Sequence, residues 1–554
     1  MMERVWWKEA VGYQVYPRSF QDSNGDGIGD LQGMISRLDY LKDLGIDFIW
    51  ICPMYKSPKD DNGYDISDYQ DILEEFGTME DFDELLREVH KRGMKLIIDL
   101  VLNHTSDEHP WFLESKSSVQ SSKRDWYIWR DPLNGEEPNN WESIFGGSAW
   151  EYDETSGQYY MHLFSKKQPD LNWENEEVRE VLYDTVNWWL DKGIDGFRID
   201  AISHIKKRPG LPSLPNPKEE KYVSSFDMHM NQEGIHKFLQ EFKDKTYGNY
   251  DVMTVGEANG VSADEAHLWV GEEGKMDMVF QFEHLDLWDQ DADQKLDVLA
   301  LKEALTRWQK GLEGDGWNAL FIENHDKARS VSTWGNDGKY WRESATSLGT
   351  MYFFMQGTPF IYQGQEIGMT NFKFPSIEDF DDVAAKNTYQ NMIEEGYTHQ
   401  DVMKVLWSTS RDNSRTPMQW SQDEHAGFTT ANPWMKINPN YETINVESQQ
   451  NDQDSILEYY KTMIQLKKQY DLFTYGTYDL VNADDAQVYA YTRTLENETA
   501  LVITNLTESD VVFKSPVSVS PPSLVLSNYN MNEDTSDTEL KLSPYEARVY
   551  VFSA

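Results

Sequence analysis

Leu96-Ile-Ile-Asp-Leu-Val-Leu102 is a run of apolar residues with one polar interruption, Asp99, and it ends at Asn103-His104. A stretch that is apolar on both alternating faces is a strand covered on both sides, as in a parallel sheet sheathed by helices. Towards the N-terminus, residues 11–16 and 48–51 read the same way. Helical faces separate them: Leu31, Met34, Leu38 and Leu41 stop at Gly45, and Phe82, Leu85, Leu86 and Val89 stop at Gly93. Towards the C-terminus the rhythm breaks over 104–172, which is rich in Trp, Tyr, Ser, Gly and Asp. It resumes with a helix through Val178, Leu182 and Trp189, a strand at 196–201 and a helix around 235–242. Further strands are expected at 252–255, 276–282, 319–322 and 359–362. Eight strand and helix units over this length predict an α/β fold, a (β/α)8 TIM barrel, whose active sites lie at the C-terminal ends of the strands.

The expected organisation is therefore a barrel from 1–103 and 173–474, with 104–172 inserted as a subdomain after strand three. From about Tyr475 the pattern changes to short segments rich in Val, Tyr and Thr at 488–492, 501–504, 511–513 and 548–552. These predict a C-terminal antiparallel β-sandwich over 475–554. Trp111, Phe112, Trp126, Trp129, Trp141 and Trp150 in the insertion could stack on sugars, but read first as the core that a segment of this size needs.

In the 554 residues, 50 Lys and Arg stand against 96 Asp and Glu, a formal charge of -46. Such a surface repels phosphate backbones and anionic lipid, which argues against nucleic acid or a membrane as partner. It also fits adaptation to high salt, where screening weakens self-repulsion. No apolar stretch approaches the roughly 20 residues of a membrane helix, and the start has no apolar signal core, so a cytoplasmic monomer is expected. The single cysteine, Cys52, reads as a small buried thiol.

Three carboxylates end apolar runs: Asp200 in Gly-Phe-Arg-Ile-Asp-Ala, Glu257 in Val-Gly-Glu-Ala and Asp326 in Glu-Asn-His-Asp. Acids are rarely buried unless paired, so acids at strand ends beside Arg198 or His325 mark a site. On the strand count Asp200 ends strand four and Glu257 strand five, neighbours about 4.8 Å apart. That spacing suits a retaining glycosidase, whose carboxyls stand about 5 to 5.5 Å apart, better than an inverting one at roughly 6.5 to 9.5 Å. Arg198, two residues before Asp200 on the same face, is expected to keep that carboxylate ionised as the nucleophile. Glu257 is then the acid/base, its proton retained by repulsion from Asp200.

Quoted together, Asp99-Leu-Val-Leu-Asn-His104, Gly196-Phe-Arg-Ile-Asp-Ala201, Glu257-Ala and Asn324-His-Asp326 closely resemble the four motif regions of the α-amylase family, glycoside hydrolase family 13. Gln168-Pro-Asp-Leu-Asn172 is similar to a further motif of its oligo-1,6-glucosidase and α-glucosidase branch. The resemblance implies that Asp200 is the nucleophile, Glu257 the acid/base and Asp326 a third carboxylate gripping sugar hydroxyls. It implies that His104 and His325 bind the non-reducing glucose, that Asp61 and Tyr64 close the outer end of that subsite, and that Arg411 pairs with Asp61. A blocked outer end means exo-action on a small oligosaccharide.

Specificity is read from the residue after the nucleophile, typically valine in relatives preferring α-1,6 bonds and smaller or polar in those preferring α-1,4. Here it is Ala201, which favours α-1,4 bonds such as that of maltose, with transglucosylation as a side reaction and oligo-1,6-glucosidase as the alternative. Trehalose-6-phosphate hydrolase is a further alternative that would need a basic phosphate pocket near Lys206 and Lys207. Relatives that form isomaltulose carry an Arg-Leu-Asp-Arg-Asp stretch where this chain has His284-Leu-Asp-Leu-Trp-Asp-Gln-Asp291, which weakens that reading. The acids retained at all three positions set the chain apart from the non-catalytic transporter heavy chains that resemble the family.

Asp22-Ser-Asn-Gly-Asp-Gly-Ile-Gly-Asp30 places oxygen ligands at alternate positions with Gly27 at the turn, as in the first part of an EF-hand loop. Gly33 stands where the closing Glu would be. A structural calcium ion (Ca2+) is expected, and the family resemblance implies Asp22, Asn24, Asp26, Asp30 and the Ile28 carbonyl as its ligands.

Overall fold

The computed structural model describes residues 4–287, 296–519, 523–530 and 538–553. Eight parallel strands lie where the apolar runs predict them: β1 Gly12–Val15, β2 Phe48–Ile51, β3 Lys95–Val101, β4 Gly196–Asp200, β5 Met253–Glu257, β6 Met278–Phe280, β7 Ala319–Leu320 and β8 Thr358–Tyr362. Their order is β6-β5-β4-β3-β2-β1-β8-β7, and a parallel bridge from Val279 to Asn318 carries β6 back to the start of β7. The sheet is a nearly closed (β/α)8 barrel. Every residue of β1, β2, β4 and β8 is buried, the interior face by the barrel core and the exterior by helices, which is why these segments are largely apolar, the exceptions Gln14, Arg198 and Asp200 being paired within the fold.

The helical face expected over Leu31 to Leu41 is two helices, Leu31–Ser36 and Leu38–Leu44. Arg37 breaks them, its guanidinium turned to Gln21 Oε1 at 2.7 Å and over the Trp420 ring. Gly45 ends the second helix at φ 103°, a left-handed cap that glycine adopts without strain.

Between β3 and the helix Glu176–Asp191 the chain builds a three-stranded antiparallel sheet from Trp129–Arg130, Trp150–Asp153 and Gln158–Met161. Its own core contains Ile128, Trp141, Trp150, Met161 and Leu163. Trp126, Trp129 and Phe112 are likewise buried, so the insertion's tryptophans are used for packing. At the C-terminal end, a five-stranded antiparallel sheet faces the pair Val511–Lys514 and Glu539–Leu542. Val488, Leu501 and Ile503 of the first meet Phe513, Leu540 and Leu542 of the second in one sandwich core. Arg493 ties this unit to the barrel, donating to the carbonyls of Phe354, Phe473 and Gly476. Cys52 is buried. Among the described residues no helix is long and apolar enough to cross a membrane.

Candidate active site

Strand register sets the centre of the site. Ile199 of β4 pairs with Gly256 of β5, so the next residues, Asp200 and Glu257, emerge side by side at the C-terminal rim. Arg198 lies two residues deeper on the same face, beside Asp99 of β3. Its guanidinium donates to Asp200 Oδ1 at 2.6 Å through Nη1 and to Glu257 Oε2 at 2.8 Å through Nη2. Asp99 holds that guanidinium from behind, accepting from Nη1 at 2.9 Å. The Ala201 amide adds a second donor to Glu257 Oε2 at 2.9 Å. Among the described residues no protein group donates to Asp200 Oδ2 or Glu257 Oε1, so each acid has one anchored oxygen and one left for chemistry.

A cavity of about 680 Å³ opens above this pair, lined by Asp61, Tyr64, His104, Asp200, Ala201, Glu257, Asp326 and Arg411 among others. One end is closed by charge. Arg411 donates to Asp61 at 3.2 Å, to Asp326 at 3.2 Å and to Asp382 at 2.6 Å. Asp326 also accepts from Arg415 at 3.0 Å. Gln168, of the Gln-Pro-Asp-Leu-Asn motif, donates to Asp61 Oδ2 at 3.1 Å and lies 3.1 Å from His104 Nε2. Behind the loop, Asp65 accepts from the amides of Asp60 and Asp61 and from Ser57 Oγ, and burial pushes its carboxyl up to about 7. The motif segments are thus bound to one another as well as to the cavity.

Two expected binding residues stand one layer back. Arg198 is 2 % exposed and touches the acids that face the cavity. His325 is fully buried, with Gln14 Nε2 at 2.7 Å on Nδ1, and the Tyr64 hydroxyl at 2.7 Å and Asp326 at 3.1 Å on Nε2. With both ring nitrogens engaged it orients Tyr64 and Asp326, which line the cavity in its place. Burial alone would strip its proton, but the adjacent Asp326 carboxylate outweighs that and holds the imidazolium up to about 10, a state in which Nδ1 donates and Gln14 turns its amide oxygen to it. Burial likewise opposes charge on Asp326, yet His325, Arg411 and Arg415 hold it well below the usual carboxylate range. His104 lines the cavity, and burial pushes it down.

At the centre, the expectation that Arg198 keeps Asp200 readily ionised is corrected. Burial raises Asp200 well above the usual range; Arg198 opposes the rise, and the charges of Glu257 and Asp99 reinforce it. Three carboxylates share one guanidinium, so the cluster binds a proton.

Sequence reasoning did not assign Asp99, Asp382 or Arg415. Asp99 had a signal, as the one charge inside an apolar strand. Arg415 lies four residues after Arg411, the spacing that brings side chains to one helical face. Asp382 caps the helix Val383–Glu394 through the Ala384 amide, and that local role hides its contact with Arg411.

The loop Asp22 to Asp30 does not gather its acids into a cage. Asp22 accepts from the amides of Asn24, Gly25 and Gly27, Asn24 from Asp26, and Asp26 from Ile28. Asp30 accepts from Ser23 and from Gly33 at 2.6 Å, capping the helix Leu31–Ser36. Among the described residues no group of three or more His, Cys, Asp or Glu is placed to hold a metal. The oxygens are hard donors that suit calcium; both oxygens of Asp22 and Oδ1 of Asp30 already accept two hydrogen bonds, whereas Asn24 Oδ1, the Asp26 oxygens and Asp30 Oδ2 accept one each, so an ion there would share oxygens already bonded.

A strand-end acid pair under one arginine, in a cavity above a parallel barrel, defines a glycoside hydrolase. Residues 14–476 match the alpha amylase catalytic domain and residues 478–549 the maltogenic amylase C-terminal domain. The chain belongs to the alpha-amylase family. It is 60% identical over 553 residues to the probable oligo-1,6-glucosidase 3 of Bacillus subtilis (strain 168), covering 100% of both chains. It is 55% identical over 558 residues to an oligo-1,6-glucosidase of Parageobacillus thermoglucosidasius, covering 99% of each. Among solved structures, the trehalose-6-phosphate hydrolase of Bacillus licheniformis superposes with a TM-score of 0.92 at 44% identity, covering 100% of both chains.

Proposed function

We propose that this protein is a retaining, exo-acting α-glucosidase of the oligo-1,6-glucosidase type, releasing glucose from the non-reducing end of short isomaltose-like oligosaccharides. The observation that carries it is the shared anchoring of Asp200 and Glu257 on Arg198, at the floor of a cavity closed at one end by Asp61, Arg411, Asp326 and Asp382. Two carboxyls held on one guanidinium favour the short separation, about 5 to 5.5 Å, of a double displacement.

In this reading the terminal glucose sits against Asp61, Tyr64, His104 and Asp326, and the closed wall admits no further sugar beyond it. Substrate binding leaves the cluster's proton on Glu257 Oε1, the oxygen that faces the cavity. Asp200 Oδ2 attacks the anomeric carbon as Glu257 protonates the departing oxygen, giving a covalent glucosyl-enzyme. Glu257, now ionised, takes a proton from the water that attacks that carbon, and Asp200 departs. Retention of the α configuration follows from the two inversions.

Linkage is the point at which the expectation from Ala201 changes. Its side chain lines the cavity, and the residue stands at φ 44°. The two relatives described above carry the name oligo-1,6-glucosidase, which supports α-1,6 over the α-1,4 preference first drawn from Ala201. A maltose-cleaving α-glucosidase is the second reading, favoured by the small residue at 201. Trehalose 6-phosphate is disfavoured because the two lysines suggested for its phosphate are engaged: Lys207 with Asp170 at 2.7 Å, and Lys206 with Glu174. The isomaltulose comparison extends through Trp288 to Asp291, which lie outside the described residues.

The test is an initial-rate comparison of isomaltose, maltose, sucrose and trehalose 6-phosphate, with the anomer of the released glucose followed by NMR. Isomaltose is expected to be cleaved fastest and α-glucose to appear first. Initial release of β-glucose would refute the double displacement, and faster cleavage of maltose would select the second reading.

A further inference from the structure

The two cations in the cavity wall are held differently. At the closed end Arg411 is committed to Asp61, Asp326 and Asp382. Elsewhere the wall includes Asn259, Phe282, Glu283, Asp286 and Lys327, from the segments that follow β5, β6 and β7. Arg411 and Lys327 are the only lysine or arginine in the cavity wall among the described residues, and Lys327 makes no hydrogen bond or ion pair with any of them.

That freedom is unusual for a partly buried ammonium, which carries three donors and loses stability when they are left unmade. The acids nearest it do not take them. Asp326 is held by His325, Arg411 and Arg415, and Glu283 is paired with Arg307. Asp286 attracts Lys327 through space without contacting it, and burial pushes the Lys327 ammonium down against the fields of Asp326 and Asp286. A cation and an acid that face one cavity with a gap between them can be bridged by a group that both donates and accepts. A sugar hydroxyl does both.

We propose that Lys327 and Asp286 form the leaving-group site, Lys327 donating to and Asp286 accepting from hydroxyls of the sugar on the far side of the scissile bond. This rests on the exo-α-glucosidase reading and deepens it: the enzyme selects hydroxylated leaving groups over flat aromatic ones. Lys327 acts on the departing sugar, whereas Asp200 and Glu257 act on the bond itself.

The experiment compares wild type, Lys327→Met and Asp286→Asn on isomaltose, maltose and p-nitrophenyl α-glucoside, whose aryl leaving group offers no hydroxyls. With Lys327→Met, kcat/KM for the better disaccharide is expected to fall about tenfold, mainly through KM. The aryl glucoside is expected to lose about threefold or less. Asp286→Asn should lower the same disaccharide-to-aryl ratio by a smaller factor, and thermal melting verifies that each variant is folded. Equal losses on sugar and aryl substrates would overturn the proposal, because they would show Lys327 acting through the field on Asp326. An undiminished disaccharide rate would overturn it too. The wild-type rates test the underlying reading separately: a wild type that cleaves only the aryl glucoside refutes both, whereas an active wild type with an unchanged ratio in both variants refutes the leaving-group site alone.

Discussion

The molecule holds two sets of carboxylates that look alike in sequence and differ in structure. In the loop from Asp22 to Asp30, the acids and Asn24 bond mainly to amides two to seven residues away, with one donor from outside, the Thr429 hydroxyl on Asp22. In the cavity, Glu257 and the loop acids are held by cations from distant segments, as Arg411 holds Asp61 from 350 positions away, while Asp200 is held by Arg198 of its own strand, which also bridges to Glu257 of β5. Bonds within the turn occupy most of the oxygens of the first set. Anchoring on one shared guanidinium in the second fixes one oxygen of Asp200 and of Glu257 and leaves the other exposed to substrate. Free oxygens on rigidly held carboxylates, more than acidity as such, separate a reactive centre from a structural turn.

The sharpest way to break this contrast is to remove a free oxygen. Asp200→Asn keeps the shape and is expected to lower kcat by about 10⁴-fold or more, with a melting temperature no lower than wild type, since burial already disfavours the Asp200 charge. Residual activity above about one per cent in a preparation free of wild type would remove Asp200 from the reaction. Next in size is the anchor. Arg411→Met leaves Asp61 and Asp382 buried without their cation and should cost about 3–5 kcal/mol of stability, read by denaturant unfolding, with a raised KM. A variant as stable as wild type would mean the end wall is held by packing.

For the loop, we propose that calcium binds by sharing oxygens with the amides. A hundredfold excess of calcium over its Kd should then add about 2.7 kcal/mol of stability, an increment lost in Asp26→Ala and reversed by a chelator. Identical melting with calcium and with chelator would make the loop a purely self-supported turn. The smallest effect is expected from Ala201→Val, a change of about 1 to 3 kcal/mol in the relative barriers for isomaltose and maltose, moving the rate ratio towards isomaltose. The φ of 44° disfavours a β-branched residue, so some loss of melting temperature should accompany it. An unchanged ratio would show that residue 201 does not read the linkage.

The barrel was legible because parallel strands buried on both faces are largely apolar, so each is a visible run that ends at the rim where chemistry is placed. Asp200 and Glu257 were found for that reason. What escaped was set by contacts between distant segments. His325 belongs to the correct motif, but only the packing of Gln14 and Tyr64 against it shows that it stands behind the wall. Asp382 looks like an ordinary helix cap until Arg411 folds against it. The alternation of Asp22, Asn24 and Asp26 is equally the pattern of ion ligation and of amide-capped turns, and spacing does not separate the two. The break at Arg37 likewise depends on Trp420, a residue no local pattern could connect to it.

The imidazolium of His325 has a consequence for the working range of the enzyme. Its stabilising charge is complete below about 6.5, the value of a free histidine, and fades as pH climbs towards 10. In alkali the residue behind Tyr64 and Asp326 loses its proton, and the wall that grips the terminal glucose loosens. An alkaline decline in affinity for sugar, absent when residue 325 carries no titratable ring, would be the mark of a site whose grip depends on a residue the sugar never meets.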